Sequence, residues 1–162
     1  MKKFLVLAIV FSSLMSCDSN RVFESNTRVE DGSWKISDVP IFDVVISDTT
    51  SKMQAFINVR HTAYYQFANL WVFIKTTDPD GLVERDTLEC LFAEKDGMWI
   101  GSGLGDLFDT QTYWKRMKFD KAGSYSFEIE QAMRFGKESK INALPGIEDV
   151  GLRIEKMEQD EI

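Results

Sequence analysis

The sequence predicts an all-β domain, a single antiparallel β-sandwich of about eight strands in jelly-roll-like or Greek-key order. Three observations carry this. Apolar residues recur at every second position in one run after another, the period of a half-buried strand. Turn signals such as Asp78-Pro79-Asp80-Gly81, Asp96-Gly97 and Lys121-Ala122-Gly123 separate the runs. No stretch shows a convincing amphipathic helical period, so two packed sheets are the layers left to bury the core.

In chain order, Cys17 to about Val29 is polar and reads as a tether, in which Arg21-Val22-Phe23 can already pair as a short strand. Trp34 follows the Asp31-Gly32 turn and is expected to anchor on the core edge. Phe42, Val44 and Ile46 alternate with Asp43, Val45 and Ser47, and Ser47-Asp48-Thr49-Thr50 turns the chain. Ala55, Ile57 and Val59 alternate with Phe56, Asn58 and Arg60. Asn69 to Thr77 is apolar on both faces over Leu70 to Ile74, as a central strand would be. Leu88, Cys90 and Phe92 face one way, with Thr87 and Glu89 facing the other. A strand with Tyr113, Met117 and Phe119 on one side follows, and then one with Tyr125, Phe127 and Ile129 inward. Gln131 to Gly146 is a longer polar connection with room for a helical turn. Val150, Leu152 and Ile154 close the fold. The sandwich domain is expected over residues 30–157, with a frayed tail at 158–162.

The N-terminus reads as an export signal. Met1-Lys2-Lys3 is a short positive start, and Phe4 to Leu14 is an uncharged apolar run. About 20 apolar residues are needed to span a bilayer, so the run is too short for that and fits a secretory signal. Leu14-Met15-Ser16-Cys17 fits a bacterial lipobox, with an aliphatic residue three before the cysteine and a small one just before it. The thiol of Cys17 would take a diacylglycerol as a thioether, and cleavage would free its amine for a third acyl chain. A single chain binds membranes only marginally, with K of about 10⁴ M⁻¹; three would hold the protein there. Residues 1–16 are then the signal peptide and 17–29 the lipidated tether.

Losing Lys2 and Lys3 takes the 19 basic residues to 17, against 26 acidic ones. An acidic chain without a basic cluster repels phosphate backbones, so nucleic acid is not an expected partner. With Cys17 acylated, Cys90 has no disulfide partner, and its alternating run makes it a small buried hydrophobe.

Candidate chemistry is sparse. Gly101-Ser102-Gly103-Leu104-Gly105 lacks the helix a phosphate cradle needs, and Asp106 and Asp109 follow it, so it reads as a loop between strands. Asp106 with Asp109, or Glu148 with Asp149, lack the repeated acidic spacing of a calcium loop. Glu128 and Glu130 share a strand face, where solvent-facing glutamates are the ordinary case. No catalytic residue, metal site or cofactor is expected. The most suggestive loop is His61 to Phe67. Its His61, Tyr64, Tyr65 and Phe67 could hold a sugar or peptide, or could plug the end of the sandwich. Trp71 and Phe73, opposite Leu70 and Val72, are second-layer core or a protein-binding surface.

Several long segments, in order, resemble the GldH-type gliding-motility lipoproteins: LMSCDSNRVFE, NVRHTAYYQFANLWVFI, DTLECLFAEKDGMWIGSGLGDLFD, SYSFEIEQAMR and LPGIEDVGLRIEK. One departure is Phe135 to Asn142, longer and more polar than the family pattern. The resemblance implies a lipid-anchored component of the gliding apparatus, which is linked to a dedicated protein-secretion system. The family also occurs in cells not known to glide. Cys17 carries over as the acylated residue; no catalytic residue does. The expected partners are the membrane, through the acyl chains, and other envelope proteins of that machinery, with the domain facing the periplasm. The alternative is a surface or periplasmic glycan- or peptide-binding sandwich.

Overall fold

A computed structural model describes residues 18–137 and 140–157. The export segment, Cys17 and the tail at 158–162 lie outside the described residues. The strands are β1 (Arg21–Arg28), β2 (Ser33–Lys35), β3 (Ile41–Ile46), β4 (Met53–Thr62), β5 (Asn69–Thr77), β6 (Val83–Leu91), β7 (Ser102–Leu104), β8 (Leu107–Met117), β9 (Gly123–Gln131), β10 (Ala143–Pro145) and β11 (Ile147–Lys156). One sheet has the order β1-β11-β4-β8-β7, the other β3-β9-β5-β6, and β10 with β2 makes a small third ribbon. The two main sheets are antiparallel throughout. Counting only the eight long strands in chain order, one sheet runs first-eighth-third-sixth and the other second-seventh-fourth-fifth. That is the jelly-roll order, two interlocked Greek keys.

Period-two alternation sets which face is buried. Phe42, Val44, Ile46, Ala55, Ile57, Val59, Leu70, Val72, Ile74, Phe127, Ile129, Val150, Leu152 and Ile154 fill the space between the sheets. Each fully buried aliphatic or aromatic side chain contributes roughly 1.5–3 kcal/mol relative to exposure. Cys90 is among them and is the free cysteine of the described residues. Trp34 is buried as well; its indole Nε1 donates to the Asp38 carbonyl at 2.7 Å, so the ring seals one end of the core without an orphaned N–H. The Asp31-Gly32 turn before it is one turn of 3₁₀ helix, with φ of 55° and 59° at the two residues. The positive φ at Gly32 favours glycine, and an added Cβ would push the Glu148 carboxylate aside.

Four expectations change. The stretch expected as a tether is mostly strand: β1 pairs with β11 from Arg21 to Arg28, and Val22 and Phe23 pack on the core. Phe23 meets Phe42 edge-on at 6.4 Å, which draws the segment into the sheet. In β8, Tyr113 faces out and Trp114 faces in, although Tyr113 was expected to share a side with Met117 and Phe119. A bulge explains it: Tyr113 opposes Phe56 and Lys115 opposes Ala55, so the extra residue Trp114 shifts the alternation by one. The glycine-rich segment supplies β7, a short edge strand hairpinned to β8, instead of an open loop. The connection after β9 carries β10, paired with β2; among its described residues there is no helical turn.

The poles of the sandwich are distinct. One carries the start of β1, the β3–β4 turn and the end of β11. The other carries the His61–Phe67 region, the β7–β8 hairpin and the connection after β9.

Candidate functional site

His61 is the penultimate residue of β4 and is completely buried. Its ring lies between Phe92, stacked at 4.5 Å, and Phe108, stacked at 5.5 Å, with Trp99 tilted against it at 4.8 Å. Nδ1 is 3.1 Å from the Thr62 carbonyl oxygen, which can only accept, so the neutral ring carries its proton there. Nε2 has no hydrogen-bond partner among the described residues. Burial holds the imidazole below its usual pKa, outweighing the Thr62 carbonyl and the charge of Asp109. Tyr65 is buried too, and its hydroxyl donates to the Asn69 carbonyl at 3.0 Å. Desolvation lifts that phenol far above its ordinary range. Tyr64 points to solvent and Phe67 is half-buried. His61, Tyr64, Tyr65 and Phe67 therefore do not converge on one open face.

The buried members of that loop support a different surface. Tyr65 packs edge-on against Phe92 and Phe67, and Phe67 packs edge-on against Phe135 at 5.9 Å. An unbroken file of rings thus runs from Phe108 through His61, Phe92, Tyr65 and Phe67 to the outer face of the four-stranded sheet. There Phe67, Trp71, Phe73 and Phe135 line a groove of about 470 Å³, closed by Met133 and Arg134. Trp71 is 40% exposed, Phe73 38% and Phe135 69%. β5 is an inner strand of its sheet, as its apolar sequence requires, yet among the described residues no second layer covers its outer face.

Cross-strand side-chain pairs tie β5 to its neighbours beneath and beside the groove. Asn69 donates to Glu89 across to β6 at 2.5 Å, and Lys75 pairs with Glu128 of β9 at 2.6 Å. The wall is tied to β5 by hydrogen bonds from the Ala132 N–H to the Trp71 carbonyl and from the Trp71 N–H to the Met133 sulfur. Buried Gln131 holds the wall from behind, donating to the Ile141 carbonyl at 2.5 Å and accepting from the Met133 N–H. Phe135 sits in a run that reads as polar connection in sequence. Its being the lone aromatic of Phe135 to Asn142 was the available signal.

The acidic and thiol candidates are engaged elsewhere. Asp109 and Asp149 both pair with Arg60, and Glu128 pairs with Lys75. The Cys90 thiol is pushed up to about 11 by burial, which keeps it protonated and unreactive at neutral pH. No group of three or more His, Cys, Asp or Glu among the described residues could hold a metal ion. Cys17 lies outside the described residues, but its neighbour Asp18 is fixed. Arg153 reaches Asp18 at 2.5 Å, Glu24 at 2.9 Å and Glu155 at 2.7 Å, and the Arg21 N–H donates to the Asp18 carbonyl. The Arg153 guanidinium holds the Asp18 carboxyl below its usual range.

Residues 21–154 match the family model described as GldH lipoprotein. The chain is 38% identical over 153 residues to the gliding motility lipoprotein GldH of Flavobacterium johnsoniae, covering 93% of this chain and 94% of that one. It is 36% identical over 155 residues to a GldH homolog of Christiangramia forsetii, covering 94% and 93%. Among solved structures, the VP2 subviral particle of infectious bursal disease virus aligns with a TM-score of 0.32 and 12% identity, over 84% of this chain and 30% of that one, too loosely to carry an argument. The agreement in sequence with these lipoproteins runs from β1 through β11, the whole sandwich, and the chain belongs to the GldH lipoprotein family.

Proposed function

We propose that the chain is a non-catalytic, lipid-anchored interaction subunit of the gliding-motility machinery and its associated secretion system, held by acyl chains on Cys17 and facing the periplasm. The observation that carries this is the end-to-end agreement with lipoproteins named for gliding motility, joined to a lipobox at Leu14 to Cys17. The mechanism is presentation. With Asp18 clamped into the sheet, the anchor leaves the domain at the pole where β1 begins. The aromatic groove opens toward the other pole, its Trp71 and Phe73 six and four residues short of the anchor-side end of β5, about 20 and 13 Å at about 3.3 Å per residue. A surface held that far from the bilayer meets proteins, not its own lipid. Its occupant on this reading is another envelope protein of the machinery, which would place apolar side chains against Trp71, Phe73 and Phe135. Aromatic surface of this kind is where binding energy concentrates in interfaces.

A clean deletion of the gene in the cell that carries it is expected to stop cell spreading or the movement of surface adhesins, with recovery by the wild-type chain and none by Cys17→Ser. Unchanged spreading in the deletion would contradict the role, and full recovery by Cys17→Ser would contradict the anchor.

A further inference from the structure

The outer face of the five-stranded sheet is polar, as a solvated face is, but it gathers residue types that strands otherwise avoid. Three rows cross it, built from residues distant in sequence. The middle row is Asn26, Gly151, Asn58 and Gln111, on β1, β11, β4 and β8. On one side lies the row Arg28, Asp149, Arg60 and Asp109, with Ser102 of β7 beyond. On the other side lies the row Glu24, Arg153, Phe56 and Tyr113. Neighbouring rows on one face are two residues apart, about 7 Å. Asn, Gly and Asp are all depleted in strands, yet they occupy the centre of this sheet. Local rules broken together in one place mark a functional site more often than a structural one.

The rows make a shallow cleft of about 600 Å³ lined by Glu24, Asn26, Asn58, Arg60, Asp109 and Gln111. Gly151 shapes it: a Cβ there would fall 1.8 Å from the Asn26 side-chain oxygen, so only glycine lets that amide fold over β11. Asn58 is fixed, donating to Glu24 at 3.2 Å and accepting from Gln111 at 3.0 Å. That leaves the Gln111 oxygen and the Asn26 amide turned to the cleft with no hydrogen bond among the described residues. The charges are already matched: Arg60 holds Asp109 through two bonds of 2.7 and 3.1 Å and reaches Asp149 at 3.5 Å. Glu24 is likewise held by Arg153 and Arg21, and with Arg28 the three rows carry three cations against three carboxylates, so the face is close to neutral. Beside the amides, Phe56 and Tyr113 pack edge-on at 5.9 Å, and Tyr113 is half exposed.

We propose that this face binds a neutral glycan chain. A sugar ring has an apolar face that would lie on Tyr113 and Phe56. Its hydroxyls both donate and accept, as the Asn26 amide and the Gln111 oxygen require, with Asn58 and Glu24 holding Gln111 in place from behind. A peptide would need apolar side-chain pockets that this face lacks. The site is separate from the aromatic groove, which lies on the other sheet, so neither proposal rests on the other.

The test is calorimetric titration of the full-length protein, in a detergent without a sugar headgroup, with cellotetraose and with tetra-N-acetylchitotetraose. The first probe stands for a free neutral polysaccharide and the second for an amino-sugar wall glycan. Binding of either is expected. Asn58→Ala and Tyr113→Ala should each weaken it at least about tenfold, the loss of one good hydrogen bond or stacking contact. Backbone NMR shifts on titration should centre on Asn58, Gln111 and Gly151, a readout that holds if a variant folds poorly. Absence of binding by both probes at about 10 mM, well above the ~1 mM of a weak complex, would overturn the proposal. So would binding that leaves those three amides unmoved or is indifferent to the substitutions.

Discussion

His61 shows how far a single side chain is fixed by its surroundings. In sequence it is a lone histidine beside two tyrosines, the composition of a ligand loop. In the structure it is a ring in a stack, buried and neutral, with one nitrogen unpartnered among the described residues. Its folded pKa is depressed, so the unfolded chain binds the proton more readily. Above about pH 6.5, the ordinary histidine value, this group makes no difference to stability. As pH falls below that value stability is lost, by up to about 1.4 kcal/mol per pH unit, until the folded pKa is reached. Urea melts from pH 8 to 5 should show this loss, and His61→Phe should remove much of it. The same substitution keeps the stacking and deletes the unpaired nitrogen, so at pH 8 it should change stability by less than about 1.5 kcal/mol. A large loss at pH 8 would mean that the polar edge of the ring, through the Nδ1 bond to Thr62 or a partner at Nε2, contributes more than the stacking.

Elements show which parts of the fold can be read from sequence. β3, β4, β5, β9 and β11 alternate within one run, so their inward faces follow directly from residues such as Phe42, Ile57, Val72, Phe127 and Leu152. β5 even shows its central place, through an apolar second face. The bulge in β8 leaves no local trace, because Trp114 and Tyr113 are equally suited to face the core. β1 looks polar since its outward Glu24, Asn26 and Arg28 outnumber its core contacts; what recruits it is pairing with β11, 120 residues or more away in sequence. The amide row is illegible for the same reason: Asn26, Asn58, Gln111 and Gly151 meet only through register. Arg153 is the clamp on β1, and Arg153→Ala should speed hydrogen exchange over Arg21–Arg28 while leaving β5 and β9 protected. Uniform acceleration across both sheets would show that the clamp holds the whole fold, not one edge. At β11, Gly151→Ala should displace the Asn26 amide and destabilise the β1 pairing, visible in the same exchange experiment.

At the scale of the molecule, the sandwich separates three surfaces. Asp18, which follows the proposed anchor residue, lies at one pole, the polar face covers the outside of the five-stranded sheet, and the aromatic groove opens on the other sheet toward the far pole. Trp71→Ala with Phe135→Ala should lower the melting temperature by no more than a few degrees, because both side chains are substantially exposed, and should still abolish function in the spreading assay. Cys17→Ser should leave the fold intact and cost localisation. The most direct test of the groove as the working surface is photo-crosslinking in living cells, with the reactive side chain placed at Trp71 or Phe135 and, for comparison, at Val45 on the far edge of the same sheet. The proposed role predicts adducts from Trp71 and Phe135 to an identified envelope protein of the gliding machinery, lost with Cys17→Ser and absent from Val45. Adducts only to a second copy of this chain, or none from either groove position, would contradict it.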